Sequence, residues 1–318
     1  MQTNTLKSDS LLLVAAFFWG TTFVAQRKGM DHMGPMLYNA LRFLLGAVTL
    51  APLIAWPGLR LAGARTGTPR LLFWGGLLAG VALFGGASLQ QMGLQYTTAG
   101  KAGFVTSLYV VLVPLMGLFL GHRCGPSLWL GVALTVAGLY LLSVTESLTI
   151  ARGDLLVLAS ALFWAIHVQL IGYLAQRGDP LRIACAQFLV CSALSFLAAL
   201  AGESITAGAI RAATVPILYG GILSAGVAFT LQVICQRTSP PAHAAIIMSL
   251  ETVFAALAGW LLLDERMGWR GLAGCALMLA GLMVVQLPPL LGAGRKARRP
   301  EGDLAILPER PPYHDPVC

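Results

Sequence analysis

Charged residues are scarce in this chain. Only 11% of its 318 residues are Asp, Glu, Lys or Arg, whereas a typical globular domain carries about 25%. The hydrophobic share is 57% and the mean hydropathy is +0.76. A soluble chain of this length must cover its surface with polar groups, so the composition argues against a soluble enzyme. It predicts an all-α membrane protein that crosses the bilayer several times.

Concentrated basic patches and metal-ligand motifs are lacking as well. The formal net charge is +8, but the basic residues are scattered over many loops and the C-terminal tail, so nucleic acid is not expected as a partner. The six cysteines form no C-x-x-C pair and have no histidine at metal-ligand spacing. No phosphate-binding G-x-x-x-x-G-K-[ST] loop is present. We therefore expect no metal, no cofactor and no use of ATP.

Long apolar runs are abundant. A membrane-spanning helix needs about 20 mostly apolar residues, and ten such runs are separated by short breaks, most of which contain Pro or Gly. These predicted spans cover residues 10–26, 35–56, 71–90, 99–120, 126–145, 153–173, 180–201, 214–235, 242–263 and 268–287.

The two halves of the chain resemble each other. At an offset of 145 residues, Asp9 falls on Asp154, Trp19 on Trp164, Pro35 on Pro180 and Phe43 on Phe188, and later matches keep offsets of 142 or 143. The chain is thus predicted to contain two five-span repeats, 10–145 (spans 1–5) and 153–287 (spans 6–10). Because five is odd, the second repeat must enter the membrane from the opposite face. Such inverted-topology repeats are typical of transporters, with a substrate site at the repeat interface.

Lys and Arg residues predict the orientation. With the N-terminus inside, the inner segments hold about twice as many of them as the outer segments, as the positive-inside rule requires. Both termini are therefore expected in the cytoplasm. Residues 292–318 are rich in Pro and have no periodic apolar face, so they are predicted to form a disordered cytoplasmic tail.

Short motifs at the corresponding spans resemble the drug/metabolite transporter superfamily, and in particular permeases with two EamA repeats. The motifs are Phe18-Trp19-Gly20, Leu41-Arg42-Phe43, residues 97–103 (TTAGKAG), Ser249-Leu250-Glu251 and residues 262–266 (LLDER). The resemblance implies ten helices in the plasma (inner) membrane, cytoplasmic termini and export of small metabolites, often amino acids or related compounds. It also implies a central cavity lined by spans one, three, four, six, eight and nine. Thr252 follows Glu251 here, where the family often has proline.

Glu251 is the one acidic residue well inside a predicted span. It lies about 13–14 Å from the start of its span, near the middle of the bilayer. An ionisable group at this depth costs several kcal/mol unless it faces a cavity or a partner. We interpret Glu251 as a contact for a substrate amine or as a proton site; the alternative is a structural carboxyl group bonded to a neighbouring helix.

Five other residues are placed by the repeat at a similar depth and are candidates for the cavity. Trp19 and Trp164 are repeat mates, and Thr22 and His167 follow them by three residues. Tyr109 is the repeat mate of Glu251. Aromatic side chains can stack on a planar substrate, and histidine can transfer protons near neutral pH. Ordinary helix packing explains all five equally well.

Three further residues are candidates for charge or hinge roles. Lys101 and Arg42 are basic residues inside the predicted spans; either can meet an anion, but Lys101 can also snorkel to the interface and Arg42 can pair with backbone carbonyls. Pro114 interrupts the fourth span and can act as a hinge.

A secondary transporter that works by alternating access is the function favoured by these features, with a small-molecule substrate and the lipid bilayer as its partners. Proton coupling through Glu251 or His167 and facilitated transport both stay open, as does a monomeric or dimeric state. The alternatives are a non-transporting scaffold or receptor and an intramembrane enzyme. An enzyme would need converging catalytic groups, and the sequence contains no H-E-x-x-H motif.

Overall fold

Every regular element that the structure describes is helical. The computed structural model describes residues 2–56, 67–97, 99–122, 124–143, 152–262 and 268–296, although the side chains of residues 2–5, 99–101, 142–143 and 286–296 are not described. The helices of the first half are α1 (Gln2–Met30), α2 (Pro35–Ala55), α3 (Pro69–Leu94), α4 (Ala99–Ser107), α5 (Tyr109–Phe119) and α6 (Pro126–Ser143). Those of the second half are α7 (Arg152–Ala175), α8 (Pro180–Gly202), α9 (Ala207–Ala212), α10 (Thr214–Leu218), a π-helical segment (Tyr219–Phe229), α11 (Thr230–Cys235), α12 (Pro241–Met248), α13 (Glu251–Leu262) and α14 (Trp269–Lys296).

Eight helical stretches within these described ranges are long and apolar enough to cross a membrane. They coincide with the predicted spans 1–4 and 6–9. Two shorter apolar helices, Pro126–Leu141 and Trp269–Val285, coincide with the predicted spans five and ten. The last helix continues to Lys296, five residues into the segment predicted as a tail, and residues 297–318 lie outside the described residues.

Local sequence signals account for the starts of several helices. Proline opens α2, α3, α8 and α12, where its missing N–H needs no intrahelical partner. Thr68 caps α3 by accepting a hydrogen bond from the Leu71 N–H (3.2 Å). Asp179 caps α8 by accepting from the N–H groups of Leu181 (2.9 Å) and Arg182 (3.2 Å). These short-range contacts explain why the helix starts can be read from the sequence.

Two of the predicted spans are interrupted at corresponding positions. The fourth span divides at Leu108 into α4 and α5, and the ninth divides at Ser249 and Leu250 into α12 and α13. At both breaks the backbone tightens into hydrogen bonds between residues three apart, as from the Leu108 N–H to the Val105 carbonyl (3.3 Å) and from the Leu250 N–H to the Ile247 carbonyl (3.2 Å). Pro114 lies inside α5, six residues beyond the first break.

The helices pack in pairs that map onto each other when the repeats are exchanged. Helix α2 packs on α8, and α6 packs on α14. Helix α3 packs on α7, and the corresponding contact in the exchanged repeats is that of α1 with the π-helical segment and α11. Glycines show the same relation between α6 and α14: an added Cβ on Gly131 would lie 3.0 Å from the Gly281 carbonyl oxygen, and one on Gly138 would lie 2.6 Å from that of Gly274. Gly131 matches Gly274 and Gly138 matches Gly281 in the two repeats, so these contacts are exchanged by the repeat relation.

The π-helical segment is the main departure from this relation. It comprises eleven residues, Tyr219–Phe229, whereas the matching part of the first repeat lies within the regular helix α3. A π-helix has more residues in each turn than an α-helix and therefore changes which side chains face a neighbour; such segments are frequent at functional sites. The two repeats therefore present different faces to the centre of the molecule.

Candidate functional site

A chamber lies between the two repeats, where the interrupted helices meet α1, α3, α7 and the π-helical segment. Its empty volume, which includes space open to the surroundings, is about 470 Å³. Only about 40 Å³ of it is wide enough for the centre of a water molecule. The chamber is lined by Trp19, Phe23, Gln26, Arg42, Gln90, Thr106, Tyr109, Trp164, Val168, Ser224, Phe229, Gln232, Met248 and Glu251.

Glu251 is placed in the chamber by the break in the ninth predicted span. It is the first residue of α13 and its side chain is buried. Close packing holds the residue that follows it, because the Ser107 hydroxyl lies 2.6 Å from the Thr252 hydroxyl and Thr252 donates to the Gly103 carbonyl (3.1 Å). The carboxyl group thus sits where the corresponding helices of the two repeats touch. Its repeat mate, Tyr109, lines the same chamber.

An aromatic wall forms one side of the chamber and consists of Trp19, Phe229 and Trp164. Phe229 lies between the two indoles, with ring centroids 4.7 Å from Trp19 and 5.8 Å from Trp164, and it stacks on Trp164 at 21°. Gly86 makes room for this arrangement, because a Cβ at that position would lie 3.1 Å from the Trp164 ring. The wall gives the chamber a flat apolar surface contributed by both repeats.

Arg42 provides the chamber with a buried cation. It comes from α2, which is not among the six spans that the family resemblance implies for the cavity. Its guanidinium carbon lies 4.5 Å from the centroid of the Phe43 ring, a distance that allows a cation–π interaction. No carboxylate within the described ranges lies close enough to form an ion pair with it, and its Nε and Nη1 atoms have no hydrogen-bond partner there.

The structure therefore brings together some of the residues singled out in the sequence and not others. Trp19, Tyr109, Trp164, Glu251 and Arg42 all line the chamber. Of the remaining candidates, Thr22, His167 and Pro114 are not among its lining residues.

Thr22 and His167 do not line the chamber, although each lies only three residues beyond a lining tryptophan. The Thr22 hydroxyl donates to the Phe18 carbonyl (2.5 Å). His167 Nε2 lies 2.7 Å from the Gln187 Oε1, and the imidazole packs behind Phe229 with ring centroids 6.0 Å apart. Lys101 belongs to α4, but its side chain lies outside the described residues.

Several lining residues were not predicted from the sequence. Phe229 is the most central of them, and extending the self-comparison would have pointed to it, since it matches Phe84 at the offset of 145. Gln26 and Gln232 each bury a side-chain oxygen without a hydrogen-bond partner in the described part of the chain. Gln90 donates to the Thr106 hydroxyl (2.9 Å). These amides make the chamber more polar than its aromatic wall alone would suggest.

Two acidic residues that match between the repeats lie near the starts of corresponding helices. Asp154 lies in the first turn of α7, and Asp9 lies near the beginning of the transmembrane stretch of α1. Asp9 Oδ1 lies 3.0 Å from His243 Nε2 at the start of α12. Asp154 Oδ1 accepts a hydrogen bond from the Thr97 hydroxyl (3.0 Å), just before α4. Since Asp9 and Asp154 are repeat mates, the same acid tethers the first half of each interrupted span to the other repeat.

Comparison with known proteins matches the EamA-like transporter family twice, over residues 6–144 and 151–287. An uncharacterized transporter of Archaeoglobus fulgidus is 30% identical over 285 residues, which cover 89% of this chain and 86% of that protein. The transporter YwfM of Bacillus subtilis is 27% identical, with 87% of this chain and 93% of that protein covered. A solved crystal structure superposes with a TM-score of 0.74 at 20% identity, covering 92% of this chain and 99% of that chain, and it supports the fold.

Proposed function

Because this chain belongs to the EamA-like transporter family, it is a multi-pass membrane transporter, and we propose that it moves a small metabolite by alternating access around the central chamber. Export of amino acids or related compounds is the proposed activity. No ATP-binding motif is present in the sequence, so the proposed mechanism is that of a secondary transporter.

The chamber between the repeats is the observation that carries this proposal. Both repeats contribute residues to it, and the spans that meet there are interrupted at matching positions, Leu108 and Ser249. In secondary transporters, substrates bind at such repeat interfaces near the bilayer midplane, between discontinuous helices. The narrowness of the chamber implies that the aromatic wall must move to admit a substrate, as a rocking motion of the repeats would allow.

The proposed topology has ten spans in two inverted repeats, with both termini in the cytoplasm and the protein in the inner membrane. It adds the two shorter apolar helices to the eight longer ones. The excess of Lys and Arg in the segments assigned to the inside supports the orientation.

Glu251 is proposed as the central functional side chain of the transport cycle. It is the acidic residue among the described lining residues, and it lies at the helix break, next to the Ser107–Thr252 contact between the repeats. It can bind an ammonium group of the substrate or carry a proton. His167 contacts Phe229 from behind, so its proposed role is to hold the aromatic wall and not to contact substrate.

Counterflow in proteoliposomes tests the function. Vesicles loaded with a candidate amino acid should accumulate the same labelled compound, with saturation. Glu251→Gln should abolish this exchange or change its pH dependence while the protein still folds, whereas Asp31→Asn, which changes an exposed acid in a loop, should leave it unchanged. Absence of exchange across a broad panel of metabolites would refute the transport proposal. An unaltered rate and pH profile in Glu251→Gln would remove Glu251 from the mechanism.

A further inference from the structure

Two sets of contacts join the repeats outside the chamber. The first set, which we call the N-side contacts, lies where the start of α1 meets the residues between α11 and α12. The Ser8 hydroxyl lies 3.0 Å from the Thr238 hydroxyl, and Asp9 Oδ1 lies 3.0 Å from Nε2 of His243, in the first turn of α12. Polar side chains therefore hold the repeats together at this place.

The second set, which we call the far-side contacts, lies where the start of α7 meets the end of α3. Gly93 and Gly153 bring the two backbones together, because a Cβ on either glycine would lie 2.7 Å from the carbonyl oxygen of the other. Asp154, the next residue, accepts a hydrogen bond from the Thr97 hydroxyl (3.0 Å). The closest approach on this side is thus made by the main chain.

The two sets occupy corresponding positions of the two repeats. Gly93 and Thr238 are 145 residues apart in the sequence. Ser8 and Gly153 are separated by the same interval, and the acids that follow them are repeat mates as well. The structure therefore closes the same junction twice, once with hydroxyl and ionisable side chains and once with a glycine pair.

The two sets lie on opposite sides of the chamber, as the course of α7 shows. This helix begins at the far-side contacts with Gly153. It reaches the neighbourhood of the N-side contacts at Gly172, where an added Cβ would lie 2.7 Å from Cγ of Pro241, the first residue of α12. At 1.5 Å per residue, Gly153 and Gly172 are about 28 Å apart along the helix. Trp164, which lines the chamber, lies between them.

We propose that the N-side and far-side contacts are the two gates of the transporter, and that the structure, with both sets formed, is its occluded state. This inference rests on the proposed alternating-access function and assigns its gates. A change that weakens one set of contacts destabilises every state in which that gate is closed, so it raises the population of states open on that side. The far-side gate needs the space that a glycine pair leaves free, whereas the N-side gate needs polar side chains. The two gates should therefore respond to different substitutions, and in opposite directions.

Access of a reagent to the chamber measures which gate is open. Ser224 lines the chamber and its side chain is buried, so S224C introduces a reporter thiol by exchange of a single heavy atom. The full chain in proteoliposomes is treated from one side at a time with a charged methanethiosulfonate reagent, which does not cross the bilayer. An N-terminal tag identifies the side on which the N-terminus lies. The native chain, which has no cysteine among the described lining residues, gives the background.

Substitution of the glycines tests the far-side gate. G93A and G153A each place a methyl group 2.7 Å from the opposite carbonyl oxygen, so the ratio of far-side to N-side labelling of S224C should rise by about 5-fold or more. G202A is the matched control, because nothing lies within 4 Å of a Cβ at this position, at the end of α8. T97V removes the hydroxyl that donates to Asp154 and should shift the ratio the same way by about 2- to 10-fold. It tests the same gate without added bulk, in case the alanine variants fail to fold.

Substitution of polar side chains tests the N-side gate. D9N weakens the contact with His243, and S8A removes the contact with Thr238. Both variants should lower the ratio of far-side to N-side labelling by about 2- to 10-fold, which is the reverse of the effect of G93A. D31N is the matched control, because Asp31 is an exposed acid in a loop.

The outcomes separate this inference from the transport proposal, because labelling needs no substrate. Shifts in the same direction for both groups of variants, or ratios equal to those of the controls, would overturn the assignment of the gates even in a chain that exchanges solutes in counterflow. Opposite shifts would support the gates. Opposite shifts in a chain that exchanges no solute would support them as moving parts and count against transport itself.

Discussion

Replacing Gly20 with alanine should separate the two helices that hold Trp19 and Glu251. Helix α1 approaches α13 so closely at Gly20 that a Cβ there would lie 2.4 Å from the Glu251 carbonyl oxygen, 2.5 Å from the Phe254 Cβ and 2.8 Å from the Ala255 N. Two of these atoms belong to the backbone and cannot rotate away. To reach an ordinary contact of 3.4 Å, α1 must move by about 1 Å.

The magnitude follows from two opposing effects. Overpacking of this kind typically costs about 1–3 kcal/mol, while exchange of glycine for alanine within a helix recovers about 1 kcal/mol. We therefore expect Gly20→Ala to lower the free energy of unfolding by up to about 2 kcal/mol. Transport should fall as well, because the displacement moves Trp19 relative to Glu251, and both line the chamber.

Gly103 provides the matched control. It lies in α4 and faces the same helix, but a Cβ at this position would lie 3.7 Å from the Ala255 Cβ and 3.8 Å from the Thr252 Cγ2, which are ordinary contacts. Gly103→Ala should therefore be neutral or stabilising. Thermal unfolding in detergent, followed by tryptophan fluorescence, and counterflow compare the two variants. Equal stability and equal transport in both would refute the claim that close contact at Gly20 positions the chamber.

Three further perturbations probe other parts of the structure. Asp9→Asn weakens the buried contact with His243 (3.0 Å) and should lower the free energy of unfolding by about 1–3 kcal/mol, measured in detergent; an unchanged unfolding temperature would contradict a structural role for the contact. Gly86→Ala places a methyl group 3.1 Å from the Trp164 ring, so it should narrow the chamber and reduce counterflow of bulky substrates more than of small ones, and a uniform effect would speak against the aromatic wall as a substrate surface. Glu203→Ala leaves two N–H groups of the first turn of α2, each 2.8 Å from the native carboxylate, without their acceptor and should destabilise the protein by about 1–3 kcal/mol, which an unchanged unfolding curve would disprove.

Much of the helical layout could be predicted because its causes are local. Prolines and the cap residues Thr68 and Asp179 start helices by contacts within a few residues, and a hydrophobic run needs no partner to be recognised. The breaks at Leu108 and Ser249 could not be predicted in this way. No glycine or proline marks them, and hydroxyl contacts between the repeats surround them, such as the 2.6 Å contact of Ser107 with Thr252. Pro114 was predicted as a hinge, and the break of the helix lies six residues before it, at Leu108.

The residues of the candidate site also divide into those that the sequence marked and those that only the packing revealed. Glu251 and Arg42 stood out because charge is rare inside the spans, and Trp19 and Trp164 stood out because the repeat matched them. Phe229, the last residue of the π-helical segment, lies at the centre of the aromatic wall. The winding of a π-helix cannot be read from an α-helical sequence period.

By itself, the sequence determined that the chain is an α-helical membrane protein with two related halves, because hydropathy, helix-starting residues and internal repetition are properties of the linear chain. Only the tertiary structure decided which of the depth-matched side chains share one chamber. That choice depends on the rotation of each helix about its axis, and this rotation is fixed by contacts between helices far apart in sequence, such as Gly20 against Glu251. Arg42 and Glu251 stood out in the sequence because charge is scarce within the spans, and helix packing placed them in the same chamber without a direct ion pair.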